Sequence, residues 1–126
     1  MNPWHSIALN PQAIESIYGN VPNLDSVEIV RIGLVRDGPN ASIQFLLDAL
    51  PERVPLKWGK IQQVSITLDL MGVRSLLLNG WATHLPGRLT LRKLPDSSLC
   101  FEFHSPNKIE AVICCDFVRI ASITGV

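Results

Sequence analysis

A chain of 126 residues, 47% of them hydrophobic and 17% charged, is long enough for one domain with one core and too apolar to be a disordered segment. Eleven basic and eleven acidic residues cancel. With no basic stripe to neutralise phosphates, a nucleic-acid partner is not expected, and no apolar run approaches the about 20 residues of a membrane-spanning helix.

The first regular element reads as a short helix. Asn10 suits an N-cap, Pro11 the first helical position and Gly19 the residue that ends the helix, while Ile14, Ile17 and Tyr18 share one face. After Pro22 the pattern changes to period two. Residues 26–36 read as a strand, Arg36-Asp37-Gly38-Pro39-Asn40 as a turn, and residues 42–50 as the strand that pairs back on the first.

Residues 51–60 hold two prolines, four charges, Trp58 and Gly59, the composition of a surface loop. Residues 63–70 then alternate without a fault, so a slip of one position would bury Ser65, Thr67 and Asp69; the register here is tightly fixed. Further strands are expected at 73–78, 88–94, 99–104, 109–115 and 117–123, divided by Gly, Pro and Asn turns. The connections are too short for parallel crossovers. The expectation is a mainly β, antiparallel sandwich or partly closed barrel of seven to eight strands with one short N-terminal helix, a single domain over residues 1–126.

The chemistry-bearing residues form no catalytic signature. There is no phosphate-cradling Gly-rich loop, no nucleophile elbow and no pair of histidines at helical spacing. Cys114 and Cys115 point to opposite faces of a strand, so they cannot share one ion, and no metal or other cofactor is expected. Cys100 and His104, four apart on one strand, lie about 13 Å from each other, too far for a nucleophile and its base. Asp37, Asp48, Asp69 and Glu102 fall in turns or on wet strand positions, which suits solvation. Three cysteines, two of them adjacent, do not make a disulfide framework, and Met1-Asn2-Pro3-Trp4-His5 lacks the basic and apolar stretches of a secretory leader. Both point to a reducing, cytoplasmic setting.

Trp4, Trp58 and Trp81 lie outside the clean strands, where a large ring either caps a core or stands at an interface. Phe45, Phe101 and Phe103 either fill the core or line a small-ligand pocket in a barrel, and the high aliphatic content admits a homodimer or a self-associating structural domain.

Taken in order, Ile17-Tyr18-Gly19-Asn20-Val21-Pro22-Asn23-Leu24, Arg36-Asp37-Gly38-Pro39, Pro55-Leu56-Lys57-Trp58, Leu76-Leu77-Leu78-Asn79-Gly80-Trp81 and Val118-Arg119-Ile120-Ala121-Ser122-Ile123 resemble the immunity protein 50 family. The resemblance implies a mostly β bacterial immunity protein, encoded beside polymorphic toxin genes, that is not an enzyme and neutralises a cognate toxin domain by binding it. Occlusion of that kind needs a rigid scaffold and a few aromatic or Arg anchors. Trp58, Arg36, Asp37, Lys57 and Trp81 are the toxin-binding candidates. Inhibitors of basic nucleases often carry a concentrated acidic face; here the toxin is not strongly basic, or the acidic residues gather only in three dimensions.

Overall fold

The period-two segments become eight strands in the computed structural model, which describes residues 4–126. They are β1 (Val27–Val35), β2 (Asn40–Leu47), β3 (Val64–Met71), β4 (Ser75–Asn79), β5 (Pro86–Lys93), β6 (Leu99–His104), β7 (Glu110–Cys115) and β8 (Phe117–Gly125). What Met1, Asn2 and Pro3 contribute to the leader expectation lies outside the described residues. Every pairing is antiparallel, in the order β4-β7-β6-β5-β1-β2-β3-β8, as the short connections require.

The sheet is bent into two halves that meet at two places. One is a short bridge, where β1 and β5 pair only through Val27 with Gly87 and Glu28 with Pro86. The other is a ribbon common to both halves. Met71 pairs with Phe117, and past a corner at Gly72 (φ 68°) Ser75 pairs with Cys114, so β3 and β4 run on against β8 and β7. A side chain at Gly72 would strike the Asp116 carboxylate, so the corner needs glycine twice over. Since β8 does not pair with β6, nor β4 with β2, the sheet does not close into a true barrel.

The bend brings both inner faces onto one core. Ile43, Phe45, Ile66 and Leu68 from one half meet Leu91, Phe101, Phe103 and Ile113 from the other in a single cluster, with Ile14 and Tyr18 of the helix packed at its margin. Alternation accounts for this: β2 shows alternate burial from Asn40 to Leu47 without interruption. Ser65, expected to be wet, is buried, because the Gln44 side-chain amide lies over the outer face and donates to its hydroxyl at 2.9 Å.

Helix α1 is Gln12–Tyr18, and it starts later than the sequence suggests. The Asn10 side chain does not cap it. That amide instead brackets the backbone of Ile120 in β8, donating to the carbonyl at 2.9 Å and accepting from the N–H at 2.8 Å. Gly19 ends the helix with a positive φ of 68° as expected. Ahead of the helix a 3-10 turn, Trp4–Ile7, lies against β5, and Trp4 caps the core while its indole N–H donates to the Pro22 carbonyl at 3.0 Å.

Candidate functional site

The outer face of β5, β6 and β7 holds a polar cluster. Strand register sets Cys114 beside Cys100, and Cys100 beside Arg92. The Cys114 thiol donates to Cys100 Sγ at 3.8 Å, Cys100 Sγ contacts Glu102 Oε1 at 3.5 Å, and Arg92 donates to that same oxygen at 2.9 Å. The guanidinium, with help from the Cys100 thiol, holds the Glu102 carboxyl below its usual range. Burial, with the neighbouring thiol and carboxylate, pushes Cys100 up to about 12. A thiol raised in this way stays protonated at neutral pH and meets its neighbours through hydrogen bonds. The sequence places Cys114 and Cys115 on opposite faces, and so they are: Cys115 is buried in the core, pushed up to about 11 by burial. Among the described residues no three His, Cys, Asp or Glu side chains gather closely enough to hold a metal ion, and no helix is long and apolar enough to cross a membrane.

The five candidate anchors fall in three separate places. Lys57 and Trp58 stand in the loop over residues 51–60, which contains a 3-10 turn, Leu56–Trp58. Trp58 is half-buried and lies against Gly125, at the end of the ribbon where Val64 pairs with Gly125. Arg36 and Asp37 form the tip of the β1–β2 hairpin, paired to each other at 3.5 Å and almost fully exposed. The tip belongs to the opposite end of the sheet, where Asn40 pairs with Met71, so eight residues of β3, about 25 Å, lie between the two sites. Trp81 follows β4 at the far edge and is 54% exposed.

Within the loop the side chain offered to solvent is one the sequence reading passed over. Leu56 is 99% exposed, held up by Pro55 before it and by Trp58 anchored behind it. The signal was present in Pro55-Leu56-Lys57-Trp58: of two apolar side chains two apart in a tight turn, only one can face the core.

Charge on the surface is interleaved. Asp25 stands by Arg88, Asp69 by Arg119, Glu102 by Arg92, and Asp96 and Asp116 share Arg74, so no concentrated acidic face forms from them. Phe45, Phe101 and Phe103 are fully or almost fully buried in the core. A groove of about 530 Å³ lies open between the N-terminal turn and β5, with Trp4, Leu24, Leu89 and Leu91 on its apolar wall and Asp25, Arg92 and Lys93 among its polar lining.

Residues 10–126 match the family model described as Immunity protein 50. No curated protein and no solved structure matches the chain.

Proposed function

Since the chain belongs to the immunity protein 50 family, we propose that it protects its cell by binding a cognate toxin domain and covering the toxin's working surface, without doing chemistry of its own. Membership of the family carries the immunity role in general, and two features support direct occlusion as its means. The first is the stiffness of the scaffold: a single core joined through both halves of a bent antiparallel sheet pays little ordering entropy when it binds.

The second feature is the Leu56 loop, our choice for the contact. A leucine 99% exposed on a loop braced by Pro51, Pro55 and Trp58 is poised to enter a pocket on a partner, with Lys57 beside it in the same turn. The interleaved charges favour an apolar and aromatic contact over recognition of a basic nuclease through acidic residues. The partner is therefore a toxin domain with an apolar cleft, met in the cytoplasm of the producing cell.

The test is co-expression with the toxin domain encoded beside this gene. Growth should be rescued by the wild-type chain, and an inactivated toxin should co-purify with it in equal amount. Leu56→Asp should weaken the complex at least tenfold, about 1.4 kcal/mol, while leaving the unfolding midpoint in place. Failure of the wild-type chain to rescue or to bind removes the proposal; an unaffected Leu56→Asp complex moves the contact to another face.

A further inference from the structure

The bent sheet has two free edges, and the chain treats them differently. At β8 the outward backbone is met by the N-terminal segment: the Leu9 N–H donates to the Val118 carbonyl at 2.8 Å, and the Asn10 amide brackets Ile120. The same strand carries Arg119 and is broken in register between its pairings with Thr67 and Leu68. Charge, irregularity and a covering segment are the devices that stop an edge from recruiting another chain.

None of those devices protects β4. Its ladder is made on one side only, to β7, and among the described residues no backbone hydrogen bond joins its other side to a further segment. Residues 75–83, Ser75-Leu76-Leu77-Leu78-Asn79-Gly80-Trp81-Ala82-Thr83, contain no charge and no proline. Leu76, Leu77 and Leu78 are 43%, 50% and 45% exposed. An edge so apolar and so regular is costly to leave in water.

The order of side chains along β4 says what covers it. About a two-fold axis at Leu77, an antiparallel second copy sets Leu77 against its own counterpart, Leu76 against the second copy's Leu78, and Ser75 against its Asn79. Apolar meets apolar, polar meets polar, and no like charges face each other; the strand is complementary to itself, which is the requirement of an isologous interface. We propose that two copies of this chain pair edge to edge through β4, antiparallel about Leu77, so that the sheet runs on across the dimer. The Leu56 loop stands at the other end of the ribbon, beside Gly125, so pairing leaves it free. The inference does not depend on the toxin reading.

Five paired residues bury less than the about 1,200 Å² of a standard stable interface, so the dimer forms weakly and its population follows concentration. Sedimentation equilibrium of the full chain, from micromolar to near-millimolar protein, should show the mass rising from 13.9 kDa towards twice that value. Leu77→Lys, which sets two ammonium groups against each other at the axis, should hold the mass at the monomer throughout, with an unchanged circular dichroism spectrum. Ser75→Lys together with Asn79→Lys, which sets a lysine against a lysine at both ends of the pairing, should do the same should the first variant fold poorly, whereas Leu56→Lys should dimerise like the wild type. A wild-type chain that stays monomeric at every concentration, or a folded Leu77→Lys chain that dimerises as well as the wild type, overturns the proposal. So does a monomer whose β4 amides gain protection from hydrogen exchange only when toxin is added, since the edge then serves the toxin.

Discussion

Asn10 and Ile120, 110 positions apart in the chain, close a two-way hydrogen-bonded pair in which one side-chain amide serves both backbone groups of a β8 residue. The contact stands in for the strand that β8 lacks on that side. Asn10→Ala removes both bonds and should cost about 1–3 kcal/mol. Urea unfolding followed by tryptophan fluorescence measures it; a loss under a few tenths would mean that water replaces the amide without penalty.

Phe101 lies fully buried where the two inner faces meet, and Leu56 stands almost wholly in solvent. Phe101→Ala should therefore destabilise by about 3–5 kcal/mol, through lost burial and the cavity left behind. Leu56→Ala should stay within about 0.5 kcal/mol of the wild type. Equal losses for the two would contradict the placement of the core.

Gly87 holds the short bridge between the halves, paired with Val27. A Cβ there would overlap the His104 carbonyl and come within 2.8 Å of the Phe103 ring, so β5 and β6 would have to separate. Gly87→Ala should cost about 1–3 kcal/mol, the range of overpacking. Gly19→Ala makes the comparison: an added Cβ meets nothing there, and the penalty comes from the positive φ alone.

Much of this was legible in the sequence. Strict alternation at residues 63–70 and 99–104 located two strands to within a residue, and Gly and Pro punctuation separated the rest. Period-two patterning says which side chains share a face, and it says nothing of which strands are neighbours. Hence the bend at Gly72 and the cross-strand Cys100–Cys114 pair were invisible before the fold was known. Asn10 misled because its side chain satisfies a helix terminus and a strand edge equally well, and the more distant partner won. Of the proposed anchors, Trp58 is partly buried against the core, and Leu56 beside it is the projecting side chain.

Stability should fall in alkali. Burial pushes the Cys100 and Cys115 thiols from 9.0 up to about 12 and about 11, and Tyr18, whose hydroxyl donates to the Ala49 carbonyl at 2.7 Å, from 10.0 up to about 12. Above about pH 9 the unfolded chain sheds these protons while the folded chain keeps them. Their contribution is thus complete below pH 9 and is lost as the pH rises towards 12. Urea midpoints at neutral pH and at pH 10.5 should differ in that direction, and Tyr18→Phe should flatten the slope. Iodoacetamide on the native protein at neutral pH should reach Cys114 first, with Cys100 and Cys115 labelled only after unfolding.

Direct occupation of the toxin is the claim on which the functional account rests, and calorimetric titration of an inactivated cognate toxin domain into this chain tests it most directly. The account predicts saturable binding of one toxin domain per chain, lost at least tenfold in Leu56→Asp, by a chain that also rescues growth. Rescue of growth with no heat of binding and no complex would contradict it, since protection would then come by some route other than occlusion.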